Sequence, residues 1–333
     1  MADEVQKIPV SGEWDKTVVM DQDSCCWDKT VVVEDSSTGE PVAACQVFDT
    51  LGPGFTVGNY RILKPISEGG MGKIFLCYPL GDQSSRLVLK VLKSEIKSKR
   101  SGRQRFLREF RLLHDLSHEN IVRTYDSWLD DCADYFVMEY VSGMNLEQMI
   151  RLKYIFNSEY CLYMMNVVAN AMRYAWDCCK ILHRDIKPSN IMIDDDNIIK
   201  ILDFGIAKSL ENSDTVLTLE GSTLGSPGFM SPEQLEDPRN INCTSDIFSL
   251  GATVYYCLSG GCLPYRGSNI AEIAMAMRTG RVTHISEINP EVPENFAELL
   301  MATLHHDPGK RPFSWAKLLA SIDRVYDGGR MIK

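Results

Sequence analysis

The feature that most constrains this chain's fold is a change of period near Gly143. Before it, apolar residues come in short strand-like runs. Tyr60-Arg61-Ile62-Leu63 leads into a glycine turn, then Ile74-Phe75-Leu76-Cys77-Tyr78, then Leu87-Val88-Leu89-Lys90-Val91-Leu92. Gly81-Asp82-Gln83 fits a hairpin connection between the last two runs. One helical stretch follows, Gln104 to Leu116, with Phe106, Phe110, Leu113 and Leu116 on one face. Two further strands are predicted over Ile121–Trp128 and Tyr135–Tyr140. After Gly143 the pattern is helical, over Asn145–Lys153, Glu159–Lys180, Ile247–Leu258, Ile270–Arg278, Glu294–Leu304 and Phe313–Val325. Strands first and helices after predict an α+β chain of two lobes with a cleft between them.

The charge is as uneven as the period. Residues 1–50 carry 11 acidic side chains and 3 lysines, a net charge of −8, while the other 283 residues carry 34 acidic and 32 basic groups, a net of −2. The main body is therefore nearly neutral. It lacks the excess of cations that would displace counterions from nucleic acid, so nucleic acid is not expected as a partner. Residues 1–55 read as an acidic tail, rich in Asp, Ser, Thr and Gly and ending in Leu51-Gly52-Pro53-Gly54. Inside it Trp-Asp-Lys-Thr-Val-Val occurs twice, at 14–19 and 27–32. No run of about 18 apolar residues is present, so no membrane anchor is expected, and Met1-Ala2-Asp3-Glu4 is unlike a secretory signal. The 11 cysteines show no paired Cys-x-x-Cys spacing, which disfavours zinc and fits reduced thiols in a cytoplasmic protein.

The chemistry concentrates in His183-Arg184-Asp185-Ile186-Lys187-Pro188-Ser189-Asn190 and Asp203-Phe204-Gly205. Asp185 can accept the proton of an incoming hydroxyl, and Lys187 can neutralise a transferred phosphoryl group. Asn190 and Asp203 can each offer oxygen to Mg²⁺, a hard cation that takes few protein ligands. Upstream, Ser67-Glu68-Gly69-Gly70-Met71-Gly72 joins two predicted strands, and glycines there let backbone N–H groups approach a phosphate. Lys90, about 20 residues on, sits in an otherwise apolar strand and needs anionic partners. Downstream lie Gly225-Ser226-Pro227-Gly228-Phe229-Met230, Ser231-Pro232-Glu233, Asp246 at the opening of a helix, and Lys310-Arg311-Pro312.

With these motifs in this order, residues 60 to about 325 resemble a eukaryotic-type (Hanks-type) Ser/Thr protein kinase, most closely its bacterial branch. The resemblance implies the bilobal kinase fold: an N-terminal antiparallel sheet with one main helix, a mainly helical C-terminal lobe, and an ATP cleft between. The kinase domain would cover 56–328, divided near Val141. ATP with Mg²⁺, or Mn²⁺ in its place, is the implied cofactor, and protein Ser/Thr the acceptor. Lys90 would contact the α/β-phosphates and pair with Glu109. Ile66, Ser67, Gly69, Gly70 and Gly72 would border the phosphates and the nucleotide. Ile74, Val88 and Met192 would enclose the adenine, the Glu139 and Val141 main chain would meet its edge, and Met138 would be the gatekeeper. Two positions depart from the pattern: serine replaces the first glycine at Ser67, and Val88 replaces a usual alanine. Glu233 is expected to pair with Arg311, and Asp246 to brace the catalytic loop.

Arg184, beside Asp185, suits bidentate phosphate binding and implies control by a phosphorylated activation loop. Where bacterial relatives often carry Thr-x-Thr, this chain has Thr218-Leu219-Glu220. Thr218 is therefore the expected autophosphorylation site, with Glu220 a built-in charge, and Thr215, Ser222 and Thr223 compete. Thr17 and Thr30 of the repeat each have an apolar residue three positions on (Met20, Val33), an arrangement forkhead-associated domains can read. A kinase dimer is a further route for an activating input. The alternatives are a pseudokinase scaffold, supported by Ser67 and Val88, and a small-molecule kinase, disfavoured by the peptide-docking segment at 225–233.

Overall fold

A computed structural model of the chain describes residues 33–34, 51–69, 72–92, 111, 113–129, 134–204, 227–327 and 330–331. Seven strands form one antiparallel sheet: β1 Val33–Glu34, β2 Thr56–Val57, β3 Tyr60–Gly69, β4 Gly72–Pro79, β5 Leu87–Leu92, β6 Thr124–Leu129 and β7 Asp134–Glu139, in the order β1-β2-β3-β4-β5-β7-β6. Side chains alternate across a strand, and that alternation explains both faces. Phe75, Cys77, Leu87, Leu89, Val91, Tyr135 and Val137 are buried in the lobe's own core with Tyr60 and Ile62. The residues between them share the other face. There the register lines up Leu76, Val88 and Met138 in one cross-strand row, and Ile74, Lys90 and Phe136 in the next.

The chain leaves β7 through Tyr140 to β8 Gly143–Asn145, which pairs with β9 Ile191–Asp194, and β9 pairs with β10 Ile199–Ile201. Gly143 has φ +148, and a Cβ added there would lie 2.1 Å from the Ile193 carbonyl oxygen. Only glycine fits this crossing. The helices that follow are α1 Leu146–Arg151, α2 Ser158–Cys179, α3 Pro232–Glu236, α4 Cys243–Leu258, α5 Ile270–Arg278, α6 Ile285–Ile288, α7 Glu294–Thr303 and α8 Trp315–Val325. Helix α2 buries Cys161, Met164, Met165, Val168, Ala171, Met172 and Ala175, an apolar stripe at helical spacing. Helix α4 is buried almost all round and forms the centre of the lobe. Its Gly251 lets Thr303 of α7 approach so closely that an added Cβ would meet the Thr303 hydroxyl at 2.0 Å.

Strands-then-helices therefore holds, with local corrections. The strand expected from Ile121 begins at Thr124, because Ile121 instead makes a parallel bridge to Ile201. Helix α4 starts at Cys243 rather than Ile247 and is capped by Asn242, whose side chain accepts from the Thr244 N–H. Asp246 thus lies in the first turn and is not the cap. Leu51, expected in the tail, is buried in the N-terminal lobe with Phe55 packed nearby, so packed chain begins by Leu51. Of the helix expected over Gln104–Leu116, only residues 111, 113 and 114 are described as helical.

The lobes are joined beside the hinge. Ile201 N–H donates to the Asn120 carbonyl (2.8 Å), Val122 N–H to the Ile201 carbonyl (3.0 Å), and the Asn120 side chain to the Ile199 carbonyl (2.8 Å). Lys200 of β10 pairs with Glu139 at 2.6 Å. This ties the hinge carboxylate to the C-terminal lobe, while the Glu139 N–H donates to the Arg123 carbonyl at 2.8 Å.

Candidate active site

The catalytic loop enters from α2 and leaves into β9. His183 is fully buried; its Nε2 lies 2.8 Å from the Leu202 carbonyl oxygen and its ring packs tilted against Phe204, ring centres 4.7 Å apart. The loop's main chain hangs on one carboxylate. Asp246 accepts from His183 N–H (2.7 Å) and Arg184 N–H (2.8 Å), one through each oxygen. Burial pushes its pKa up to about 6, against the pull of those two N–H donors and the Arg184 charge. Both of its oxygens are engaged as acceptors. The bracing expected of Asp246 is present, although its place in the helix differs.

Asp185 is held as firmly. Its Oδ2 lies 2.9 Å from Lys187 Nζ and accepts from Asn190 Nδ2 at 3.0 Å, while that same Nδ2 donates to the Asp185 carbonyl at 2.8 Å. The residues 188–190 form a single 3-10 turn that folds Asn190 back to reach Asp185. Across the cleft, Lys90 Nζ lies 2.8 Å from Asp203 Oδ1, with both side chains about a quarter exposed. Lys90, Asp185, Lys187, Asn190 and Asp203 therefore gather at one place from residues 113 positions apart. Arg184 and Asp203 both adopt positive φ, +64 and +40. Non-glycine residues in that region cost on the order of 1 kcal/mol each and persist only when their surroundings impose them.

Of the residues expected to enclose adenine, Val88 and Met138 are cross-strand neighbours, and Ile74 sits on the same face in the adjacent row. Ile66 falls where the β3–β4 register shifts between Pro65 and Ser67 and is 47% exposed. Ser67 pairs with Ile74, and Gly69 with Gly72, so strands close tightly around the glycine turn. Val141 is buried just past the hinge, and Met192 pairs with Lys200 on the C-terminal lobe. Gly70, Glu109, Thr17, Thr30, Thr218, Glu220 and Thr223 lie outside the described residues, as does Gly205.

Beneath the site, the Glu233–Arg311 pair is bidentate, at 2.7 and 2.9 Å. Arg311 has no exposed side-chain surface and also donates to the Thr244, His305 and His306 carbonyls. Its guanidinium lies 4.9 Å from the Phe248 ring centre. Burial raises the Glu233 pKa, but the Arg311 hydrogen bonds and charge and the Ser245 hydroxyl outweigh it and hold the carboxyl below its ordinary value. One participant escaped the sequence reading. Gln234 is buried and donates from Nε2 to the Arg184 carbonyl at 3.1 Å. Its only sequence signal is Ser231-x-x-Gln234, a capping box.

A family model described as the protein kinase domain matches residues 60–321. Serine/threonine-protein kinase PrkC of Bacillus subtilis (strain 168) is 32% identical over 274 residues, covering 82% of this chain and 41% of that protein. A probable serine/threonine-protein kinase PknB of Lactococcus lactis subsp. lactis is 34% identical over 252 residues, 75% of this chain and 39% of that protein. The chain thus spans about two fifths of the length of these curated relatives. The Mycobacterium tuberculosis PknI kinase domain superposes with a TM-score of 0.65 at 22% identity, covering 83% of this chain and all of that one. Rad53 residues 1–466, solved with AMP-PNP, gives 0.65 at 24% identity, over 79% and 65%. These two likenesses speak to the fold. Among the described residues, no helix is long and apolar enough to cross a membrane.

Proposed function

The chain belongs to the protein kinase domain family, and from that premise we propose that it transfers the γ-phosphoryl group of ATP to serine and threonine hydroxyls of proteins. The observation that carries this reading is the Asp185 carboxylate, aimed by Lys187 and Asn190 beside an Asp203 already engaged by Lys90. The donor set suits a hard divalent cation. Asn190 spends its amide hydrogens on Asp185, which leaves its oxygen for a cation, and Asp203 gives only one oxygen to Lys90. A Mg²⁺ held by these two residues would draw its other ligands from phosphate and water. Bound Mg·ATP would supply the transferable phosphoryl group and the metal's share of charge neutralisation.

The chain's own part follows. Asp185 takes the proton of the acceptor hydroxyl, Lys187 places positive charge beside it, and Lys90 orients the α/β-phosphates with Glu109 as its partner. Ile66, Ser67, Gly69, Gly70, Gly72, Ile74, Val88, Met138, Glu139, Val141 and Met192 border the nucleotide. The kinase domain takes in 56–328, with packed chain reaching back to Leu51, behind an acidic N-terminal tail. A pseudokinase would be expected to have lost part of this set, yet all four are present, Lys90 paired with Asp203 and Asp185 held by Asn190. Incubation with labelled ATP, Mg²⁺ and a generic protein substrate should yield labelled phosphoserine and phosphothreonine, lost on chelation; label in a small molecule alone would refute the reading.

Activity is switched through the segment between Asp203 and Glu233, with Thr218 the main autophosphorylation site and Arg184 its contact. Thr218→Ala should lower activity several-fold; wild-type rates with Thr218 unphosphorylated would remove the idea. Peptide mass mapping after incubation with ATP and Mg²⁺ tests Thr17 and Thr30, and no phosphate at either threonine would remove that part of the reading. Val33, three residues after Thr30, pairs with Val57 at the sheet edge, so a forkhead-associated partner reading Thr30 competes with that pairing.

A further inference from the structure

The peptide plane between Arg184 and Asp185 decides where the Asp185 carboxylate points, and both ends of that plane are held. Its N–H, belonging to Asp185, donates to His183 Nδ1 at 3.2 Å. Its carbonyl, belonging to Arg184, accepts from Gln234 Nε2 at 3.1 Å. The next plane back is fixed by Asp246 through the Arg184 N–H. Arg184 sits at φ +64, a conformation that needs such external support.

The donor on the carbonyl comes from a distant part of the chain. Gln234 follows Glu233 in α3, directly after the described stretch 227–231 that leads out of the activation segment. Its side chain is used at both ends: Oε1 accepts from Ser231 N–H at 3.0 Å, while Nε2 reaches Arg184. The amide therefore cannot turn over without setting oxygen against oxygen. We propose that Gln234 is a positioning residue for phosphoryl transfer, coupling the seating of residues 227–236 to the aim of Asp185. This inference rests on the kinase reading above and adds a residue to it. Small misalignments of a catalytic group are costly, since a shift of about 1 Å can lose about 100-fold in rate.

Glu and Met at position 234 separate positioning from simple support of α3. Gln234→Glu keeps the acceptor for Ser231 N–H, and Ser-x-x-Glu is itself a capping box, so the helix start is preserved. Ionised, however, it faces the Arg184 carbonyl with an oxygen and no hydrogen. Burial should raise the pKa of the new carboxyl, and once protonated it can donate again. In the full chain, Gln234→Glu should lower kcat about tenfold at pH 8, with the KM for ATP unchanged and the thermal midpoint kept. Its activity relative to wild type should recover as pH falls from 8 to 6. Gln234→Met should be impaired at every pH, with a flat ratio. Wild-type kcat in Gln234→Glu across this range would overturn the proposal, as would losses in both variants that merely track their thermal midpoints. If wild type itself transfers no phosphate, the kinase reading fails and this inference with it.

Discussion

Asp185→Asn is expected to lower kcat by about 10²–10⁴-fold, the usual contribution of a positioned acid–base group, while Mg·ATP affinity stays unchanged. The substitution conserves volume and keeps an oxygen able to accept from Lys187 and Asn190, which now hold Oδ2 at 2.9 and 3.0 Å. What it removes is the basicity of the carboxylate. The Lys90–Asp203 pair does not involve the Asp185 carboxylate and is left in place. The thermal midpoint should therefore hold while single-turnover transfer collapses. A parallel fall in nucleotide affinity would place Asp185 in binding rather than in chemistry.

Glu233→Ala should have the largest effect on stability. It strands a guanidinium that has no exposed surface, and breaking a buried pair by removing one partner costs about 3–5 kcal/mol. For a domain of this size that lowers the thermal midpoint on the order of 10 °C. Glu233→Ala with Arg311→Met should recover much of the loss, because the uncompensated charge goes with the arginine. Recovery stays partial, since the carbonyls of Thr244, His305 and His306 lose their donor. The pair also fixes a pH dependence. Glu233 has its folded pKa below the ordinary 4.5, so its contribution is complete above 4.5 and is lost as pH falls through the depressed native value. The gap between wild type and Glu233→Ala should be full at pH 7 and narrow in acid.

The catalytic loop was legible because its chemistry is local: base, lysine and asparagine fall within six residues, and one turn folds them together. The sheet was legible because half-buried strands alternate, and Val88 and Lys90 stand on the cleft face for that reason. Helix α4 was harder. Buried all round, it has no amphipathic stripe to mark its start, and Cys243, Thr244 and Ser245 are weak helix formers, so the apolar run at Ile247 drew the boundary late. Leu51 was lost to the tail because the Gly52-Pro53-Gly54 breaker beside it outweighed one apolar residue. The contacts that cross the chain had no local signal. Lys90 meets Asp203 over 113 residues, and Gln234 reaches Arg184 over 50. In sequence Gln234 is only the start of a short helix.

A single-turnover experiment, with the full chain in excess over Mg·ATP and a protein substrate present, tests the central claim most directly. Bound ATP should be converted to ADP with the γ-phosphate recovered on serine and threonine, and Asp185→Asn should bind the same ATP without converting it. ATP bound by wild type and recovered intact would contradict it and mark the chain as a nucleotide-binding scaffold.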